Sequence, residues 1–438
     1  MRFHVLGVGP VGTLVAHHLR HTLSDAHSVV LIHKALAQMR FAQRMDNTLV
    51  MERDGVKQLS GGYRSEVFIH RRQLKQDKLA DRLRKRMEWK KKAGITEEDR
   101  VLKSWVAQAD SPENLAPSAE IESLFVTTKA YNVVSAIQEL VPRLNINSTI
   151  VLMNNGMGVY EKLLETVFQN PASRPHFIVT VNDNGAFLRR YMHVIHSGLG
   201  SIRFGIVADS DGRDYEASLY DTDLPRDARK LSLDSIVDPN GESAARYLSL
   251  RNTVAALSSL EGLGAVWEPM SDVLIAMKRK VVVNAVINPL TALMGCRNGD
   301  IFETEGAKRI MERVCLEASW AFAAEFCTQE EEAAPNNGAT LKQRARAIAL
   351  GQNVVTNFPP TLTAEALQAE CIRVAKATAG NVSSMLGDVQ KGKGTEIIYM
   401  NGYLLQIGTA LRIPMNTTAT LLNLVKMRTT IPIDQMLK

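Results

Sequence analysis

The chain of 438 residues is 45% apolar, 22% charged and 6% aromatic, a balance typical of a globular protein with room for two or more domains. No apolar run approaches the roughly 20 residues that cross a bilayer, so the sequence excludes an integral membrane protein. Its four cysteines are too few and too widely spaced for a disulfide scaffold or a zinc site. Redox-thiol and metal chemistry are therefore not expected of Cys296, Cys315, Cys327 and Cys371.

The net charge of +6 comes from one stretch of the chain. Residues 71–92 contain 11 Lys and Arg against three acidic residues, and Trp89 is their only aromatic residue. The segment therefore has the electrostatics of a nucleic-acid site without stacking positions or a binding motif. We interpret it as a solvated or partner-facing helix, and RNA binding is the alternative.

The N-terminal half alternates short β-branched runs with helical patterns, which indicates a parallel sheet. Residues 53–119 break this alternation and are predicted to be an insertion. A hairpin is predicted from 193–196 to 201–207, followed by a polar surface stretch over 208–242. The predicted strands of the sheet are 3–6, 29–32, 123–127 and 149–153, and the helices between them are 11–20 and 131–140.

From about residue 271 the strand patterns end and long helical patterns take over. A second insertion is predicted at about 328–360, where an acidic run is followed by Pro335 and neighbouring polar residues. The sequence thus predicts an α/β domain over 1–270 and an all-α domain over 271–438. The predicted helices of the second domain are 273–286, 305–326, 362–386, 396–410 and 417–427.

A glycine-rich loop, G-V-G-P-V-G, joins the first predicted strand to the first helix. Its first glycine permits a tight turn, its second lets a pyrophosphate approach the backbone, and its third lets the helix pack on the sheet. The helix N-terminus then faces the phosphates. The loop predicts a dinucleotide site formed by Gly7, Val8, Gly9, Pro10, Val11 and Gly12.

The end of the second predicted strand indicates which dinucleotide binds. His33 and Lys34 stand where an NAD enzyme carries an acidic residue for the ribose hydroxyl. A cation suits a 2′-phosphate, so Lys34 favours NADPH, with a solvated strand-end lysine as the alternative. Lys129 and Asn155 follow two further strands and are candidates for cofactor or substrate contact, or simply for turn formation.

One apolar helix carries a polar stripe. Lys280, Asn284 and Asn288 recur every four residues and therefore share one face of a helix that is otherwise apolar almost all round. A buried ammonium and two buried amides are costly unless partners satisfy them. We interpret the stripe as facing a substrate with a carbonyl and a carboxylate; a structural network between helices is the alternative.

Two downstream segments are candidates for the wall that faces this stripe. Asn381, Ser384 and Asp388 fall three and four residues apart on a predicted helix. Thr395 is predicted to cap the next helix, with Glu396 in its first turn, where an acid can simply complement the helix dipole.

The motifs taken together resemble those of the ketopantoate reductase (2-dehydropantoate 2-reductase) family, and they occur in the family's order. They are G-V-G-P-V-G at 7–12, T-K-A at 128–130, N-N-G-M-G at 154–158, K-x-x-x-N-x-x-x-N-P-L-T at 280–291, N-x-S-S-M-L-x-D at 381–388 and T-E-I-x-Y-x-N-G at 395–402.

The resemblance implies a Rossmann-type domain, a helical domain like that of 6-phosphogluconate dehydrogenase, and NADPH-dependent reduction of 2-dehydropantoate to pantoate on the way to coenzyme A. It implies that Lys280 is the general acid and that Glu396 works with it and reaches the cofactor ribose. Substrate positions are Asn155, Lys280, Asn284, Asn288, Asn298 and Ser384; cofactor positions are the loop 7–12, Lys34, Lys129, Asn155 and Glu396.

The chain departs from the family pattern in three places. Lys34 replaces an arginine, residues 181–185 replace a segment rich in Thr and His, and the two insertions are additional, as in a long eukaryotic-type member. Two other functions stay open: a reductase-like scaffold that binds RNA through the basic segment, and a reductase of another branched 2-oxo acid.

The partner that the sequence predicts is a small 2-oxo acid, with no membrane and no nucleic acid. A homodimer is left open. The chain begins directly with a strand and not with a presequence, which predicts a cytoplasmic location; a mitochondrial location through an uncleaved signal is the alternative.

Overall fold

The computed structural model of the chain describes residues 1–67, 120–223, 225–241, 243–333, 341–352 and 357–431. The chain forms two compact units. The first contains Met1–Thr128, Asn132–Met153 and Glu165–Trp267, and the second contains Lys129–Tyr131, Asn154–Leu164 and Glu268–Lys438. The division differs from the predicted one because two short segments from the N-terminal half belong to the second unit.

The described residues of the first unit form twelve strands in two sheets. The strands are β1 Arg2–Leu6, β2 Ser28–His33, β3 Leu49–Arg53, β4 Val56–Ser60, β5 Arg64–Val67, β6 Ser123–Val126, β7 Thr149–Leu152, β8 His176–Asn182, β9 Gly185–Arg190, β10 His193–Gly198, β11 Ile202–Ile206 and β12 Ala265–Trp267.

The larger sheet has the order β12-β11-β8-β7-β6-β1-β2-β5. Its neighbouring strands are parallel except for β8 and β11. The central strands are apolar along their whole length and buried on both faces, as in a sheet covered by helices. The predicted Rossmann-type sheet is therefore confirmed, including its strands near residues 3, 29, 123 and 149.

Helices connect these strands along the chain. Their bounds are α1 Pro10–Thr22, α2 Leu36–Arg44, α3 Ala130–Leu140, α4 Val159–Thr166, α5 Ala217–Tyr220, α6 Leu233–Ile236 and α7 Ala244–Ser258, with short 3₁₀ turns at Val141–Arg143, Pro171–Ser173, Arg226–Ala228 and Glu261–Leu263. The short α5 and α6 lie within the polar stretch predicted at 208–242.

The smaller sheet has the order β4-β3-β10-β9 and corrects two predictions. The hairpin predicted over 193–207 is wrong, because β10 pairs with β3 and β9 whereas β11 belongs to the larger sheet. The insertion predicted from residue 53 starts too early, because β4 pairs with β3 and β5 extends the larger sheet beside β2. Residues 68–119, which include the basic segment, lie outside the described residues.

The second unit is helical around its own core, as predicted. Its helices are α8 Met270–Met294, α9 Glu305–Ala333, α10 Leu341–Ala349, α11 Ala364–Ala377, α12 Ser384–Gln390, α13 Asn401–Ala410 and α14 Asn416–Thr430, with 3₁₀ turns at Asn298–Glu303, Pro360–Leu362 and Ile397–Tyr399. Within the described part of the chain, no helix is long and apolar enough to span a membrane.

Two features of this unit differ from prediction. The segment predicted as a second insertion takes part in the fold and is not merely a surface excursion, because α9 continues to Ala333 and α10 buries Ala345 and Ile348 in the core. The helix predicted over 362–386 is divided, since Ser383 caps a new helix by accepting a hydrogen bond from the Leu386 N–H at 3.1 Å. Asn381 therefore lies before α12 and does not share a helical face with Ser384.

The fold also brings together two cysteines that are far apart in sequence. Cys315 on α9 and Cys371 on α11 are fully buried, and their sulfur atoms are 3.9 Å apart. Burial and the neighbouring thiol raise the pKa of Cys315 well above its ordinary value, mainly through the contact with Cys371. Both are free thiols.

Candidate active site

The glycine-rich loop of the first unit has the geometry of a phosphate-binding turn. Gly7 has a φ of +99°, and a Cβ there would lie 2.7 Å from the Thr128 side chain. A Cβ on Gly12 would overlap the Gly7 carbonyl oxygen and lie 2.5 Å from Thr127 Oγ1. A Cβ on Gly9 would meet no atom within 4 Å. Gly7 and Gly12 are thus required by packing, whereas Gly9 leaves its backbone open to an incoming group.

The loop is anchored to the sheet by a threonine. Thr127 Oγ1 donates to the carbonyl oxygens of Leu6 and Gly7, at 3.0 and 2.7 Å. Gly9 is the N-cap of α1, with Pro10 as the first helical residue. Because the first turn of a helix presents N–H groups and the positive end of its dipole, this terminus suits an anion. The residues fit the pyrophosphate of a dinucleotide.

Lys34 lies directly after β2 and is exposed. The preceding His33 is fully buried; it contacts the Tyr191 hydroxyl, and its Nε2 is 2.9 Å from Ser65 Oγ. Burial lowers the pKa of His33 to about 4, so its ring is neutral at neutral pH. Of these two residues, Lys34 is the one that carries a positive charge at this strand end.

In the second unit, the helix α8 forms the polar stripe that the sequence predicted. Lys280, Asn284 and Asn288 lie on one face of this continuous helix, which we call the polar face of α8. Lys280 and Asn284 are half-buried, and Asn288 is 7% exposed. Asn288 Nδ2 approaches the sulfur of Met400 at 3.6 Å.

Glu396 lies at the centre of a second group of charges. Its side chain is 4% exposed, and it accepts hydrogen bonds from the Ala130 N–H at 2.8 Å and from Lys129 Nζ at 3.3 Å. Lys129 Nζ also donates to Asp388 Oδ2 at 2.7 Å. We call Lys129, Asp388 and Glu396 the charged triad.

Electrostatics keep the lysine of the triad protonated. Burial by itself lowers the pKa of Lys129, but the Glu396 and Asp388 carboxylates outweigh burial and raise this pKa above its ordinary value. Lys129 is therefore a fixed positive charge over the physiological pH range.

The position of Glu396 corrects the prediction that it begins a helix capped by Thr395. Glu396 precedes the short turn Ile397–Tyr399, and the helix α13 begins only at Asn401. The Glu396 carboxylate instead accepts from the first N–H of α3, at Ala130. It therefore complements the N-terminus of a helix that is distant in sequence.

The Asn155 loop docks on the same turn. Gly156 has a φ of +85°, and a Cβ there would overlap the Tyr399 carbonyl oxygen. That oxygen accepts the Met157 N–H at 2.8 Å. Asn155 is half-buried beside this contact in the chain, so the turn after Glu396 also fixes the loop that carries Asn155.

Two predicted substrate residues lie around the start of α12. Ser384 is its first residue and is exposed. Asn298 is 8% exposed; its Nδ2 donates to Thr378 Oγ1 at 2.9 Å and its N–H donates to the Asn381 carbonyl at 3.1 Å. Asn298 Oδ1 has no hydrogen-bond partner among the described residues. Asn298 thus holds the segment before α12 and keeps one buried acceptor available.

The structure distributes the predicted residues over the two units. The loop 7–12 and Lys34 belong to the first unit; Lys129, Asn155, Lys280, Asn284, Asn288, Asn298, Ser384 and Glu396 belong to the second. Sequence reasoning missed the pairing of Lys129 with Asp388 and Glu396. The only signal for it was the regular spacing that placed Asp388 near the predicted substrate wall.

Comparison with known proteins finds matches in both halves of the chain. Residues 72–209 match the family model "Ketopantoate reductase PanE/ApbA", and residues 272–429 match "Ketopantoate reductase PanE/ApbA C terminal". Together the two matches cover about two thirds of the chain. A Saccharomyces cerevisiae relative named 2-dehydropantoate 2-reductase is 25% identical over 313 residues, which are 71% of this chain and 73% of that protein.

Solved structures share the fold. A PanE/ApbA family ketopantoate reductase from Ralstonia eutropha JMP134 has a TM-score of 0.58 and 18% identity, covering 98% of this chain and 99% of that one. A D-mandelate dehydrogenase solved with NADH and anilino(oxo)acetate has a TM-score of 0.61 and 13% identity, with the same coverage. The matched motifs, the fold and both halves of the sequence agree, and the chain belongs to the ketopantoate reductase family.

Proposed function

We propose that this protein reduces 2-dehydropantoate to pantoate with NADPH. The curated relatives that match the chain are named for this reaction. The observation in the structure that supports it is the polar face of α8, where an ammonium and two amides line one side of a largely buried helix. A 2-oxo acid, with its oxo group and its carboxylate, offers the acceptors that such a face needs.

The first unit fits a nicotinamide dinucleotide. The backbone of residues 7–12 would hold the pyrophosphate at the N-terminus of α1, and Lys34 would pair with a 2′-phosphate. A D-mandelate dehydrogenase of this fold was solved with NADH, so the proposed preference for NADPH rests on Lys34 and not on the fold. When bound, the reduced nicotinamide supplies a hydride to the substrate.

The residues of the second unit would then handle the oxo group. As negative charge builds on the oxo oxygen, the Lys280 ammonium stabilises it by a hydrogen bond and donates the proton that completes the alcohol. Asn284, Asn288, Asn298 and Ser384 hold the carboxylate end, which fixes the face of the ketone that is attacked. Glu396 is bonded to Lys129 and contributes a negative charge to the site. It is also the proposed contact to the coenzyme ribose.

The test is steady-state oxidation of NADPH with 2-dehydropantoate, beside 2-oxoisovalerate and oxaloacetate. We expect the highest kcat/KM for 2-dehydropantoate. A higher value for another 2-oxo acid would change the substrate, because pocket shape decides among them. No turnover together with RNA binding at physiological salt would favour the scaffold interpretation based on residues 71–92.

The role of Lys280 is tested by Lys280→Ala. We expect turnover to fall by at least about 1,000-fold, because a general acid and an electrostatic contact are lost together, while the Kd for NADPH changes little. The matched control is Lys278→Ala on the same helix, whose ammonium pairs with Glu325 at 2.5 Å; it should keep kcat. An active Lys280→Ala variant would remove this residue from the mechanism.

The preference for NADPH is tested by Lys34→Asp. Because a carboxylate repels a 2′-phosphate and accepts from a ribose hydroxyl, we expect the ratio of kcat/KM for NADPH over NADH to fall by at least about tenfold. Lys57→Asp on the exposed strand β4 makes the same change in net charge and should leave the ratio unaltered. An unchanged ratio in Lys34→Asp would refute its role.

A further inference from the structure

The helix α8 contains a proline in its interior. Pro289 directly follows Asn288 of the polar face, and both residues are buried. Proline has no N–H, so it cannot donate to the carbonyl oxygen four residues earlier, which is that of Ala285. Ala285 is fully buried. A buried carbonyl without a donor destabilises the fold, so another group must supply the hydrogen bond.

The missing donor comes from a different part of the chain. Asn401 Nδ2 donates to the Ala285 carbonyl at 3.0 Å, and Asn401 itself is fully buried. Asn401 is the first residue of α13. A side-chain amide thus replaces the backbone N–H that the proline removed.

Asn401 is tied closely to Glu396. The single turn Ile397–Tyr399 separates them, and the Tyr399 N–H donates to the Glu396 carbonyl at 2.9 Å. The neighbouring Met400 contacts Asn288 Nδ2 through its sulfur. The segment that carries Glu396 therefore attaches to α8 at two consecutive turns, both on or next to the polar face.

We propose that Asn401 is a positioning residue that fixes the polar face of α8 relative to the charged triad through the carbonyl freed by Pro289. This inference rests on the proposed function, in which Lys280 and Glu396 act on one substrate. An ordinary helix carbonyl is already bonded along its own helix, whereas the Ala285 carbonyl needs an outside donor. The proline thus creates one attachment point at a defined turn of α8, and Asn401 fills it.

The experiment is a double-mutant cycle. Pro289→Ala restores a backbone N–H opposite the Ala285 carbonyl, so it removes the need for the Asn401 amide. In the wild-type background we expect Asn401→Ala to lower kcat for 2-dehydropantoate by about 10- to 100-fold, the size of effect that small misplacements cause. The KM for NADPH should change much less than kcat, because the glycine loop belongs to the other unit and the Glu396 carboxylate keeps its own bonds to Lys129 and the Ala130 N–H. In the Pro289→Ala background the same substitution should lower kcat by no more than about threefold.

Equal losses in the two backgrounds, or a loss confined to the KM for NADPH, would overturn the inference. Thr418→Val is the control for general destabilisation in the same unit, since it removes the 2.7 Å hydrogen bond from the buried Thr418 hydroxyl to Glu317. It should lower the urea midpoint and keep kcat. If Asn401→Ala does not fold, Asn401→Ser, which retains a shorter donor, permits the same comparison between backgrounds.

A readout independent of turnover separates this inference from the proposed function. We expect Asn401→Ala to lower the urea midpoint clearly in the wild-type background and at most half as much beside Pro289→Ala. If the wild-type chain reduces no 2-oxo acid, the proposed function fails. The coupling between the Asn401 and Pro289 substitutions in urea still tests whether the Asn401 amide replaces the N–H that Pro289 lacks. Absence of coupling in urea would overturn the role of Asn401 whatever the activity.

Discussion

At the scale of single residues, Lys129 shows how the fold changes the meaning of a motif. The resemblance assigns this lysine to the cofactor, but in the structure its ammonium lies between Asp388 and Glu396. Both carboxylates are at most 12% exposed, so they depend on this counter-charge. Because the pKa of Lys129 is raised, its contribution to stability is complete below the ordinary lysine pKa and is lost only as the pH rises through the raised value.

Removing this ammonium should cost more than removing an exposed one. We expect Lys129→Met to lower the free energy of unfolding by about 2 kcal/mol at pH 7.5, since it leaves two nearly buried carboxylates without a cation. Urea unfolding at pH 7.5 measures this loss. Lys308→Met, which breaks the exposed pair with Glu305, should destabilise the protein much less; equal losses would contradict the expectation.

At the scale of elements, the loop between β1 and α1 contains glycines with two different roles. Gly12 is a packing residue, whereas the space at Gly9 is open. Gly12→Ala should therefore lower the melting temperature markedly, because its Cβ would overlap backbone. Gly9→Ala should keep the wild-type melting temperature but weaken NADPH binding by at least about tenfold, because the methyl group occupies the path of the pyrophosphate. Calorimetry measures the melting temperatures of the two variants, and coenzyme fluorescence measures their binding of NADPH. Tight binding by Gly9→Ala would contradict a pyrophosphate site at Gly9.

The same elements show what the sequence could predict. β1, α1, β2, β6, α3 and β7 were predicted close to their observed bounds, because each carries its own local periodicity. The smaller sheet was missed because β3 pairs with β10, which is distant in sequence. The residues of either strand do not indicate which distant strand it pairs with. The hairpin at 193–207 was wrong for this reason: two adjacent strands with a short glycine-containing connection joined different sheets.

The candidate site, like the fold, was predictable from the sequence only in part. The polar face of α8 was predictable because a spacing of four specifies one face of any regular helix. Asn381 was misplaced because Ser383 caps a new helix, which ends the predicted one. The bond from Asn401 to Ala285 was not predictable, since it depends on a carbonyl that is unpaired only within the folded helix. The roles of the site residues in binding and catalysis stay predictions.

At the scale of the whole molecule, several histidines are buried without charge. Burial, with contributions from neighbouring cations or histidines, lowers the pKa of His4 and His17 to about 3, and burial chiefly lowers that of His18 and His176 to about 4. An unfolded histidine binds a proton near pH 6.5. These four residues, like His33, belong to the first unit.

The protein should therefore lose stability in mild acid, and the first unit should lose it first. Because the folded pKa values are depressed, the unfolded chain binds more protons below pH 6.5, and stability falls from there until about pH 3 to 4. Each such histidine contributes at most about 1.4 kcal/mol per pH unit. Hydrogen exchange with mass spectrometry between pH 7.5 and 5 reads the two units separately. His17→Asn should reduce the slope for the first unit; equal slopes for both units would contradict the expectation.

The charged triad also imposes an order of events during synthesis of the chain. Lys129 is separated from Asp388 and Glu396 by 259 and 267 residues. At a translation rate of about 5–20 residues per second, the ribosome makes both acids roughly 15–50 s after the lysine. During that time the lysine of a nascent chain lacks both of its carboxylate partners. The triad can close only after α12 and the segment that carries Glu396 have emerged, so a late part of the chain completes a contact that begins in the first third.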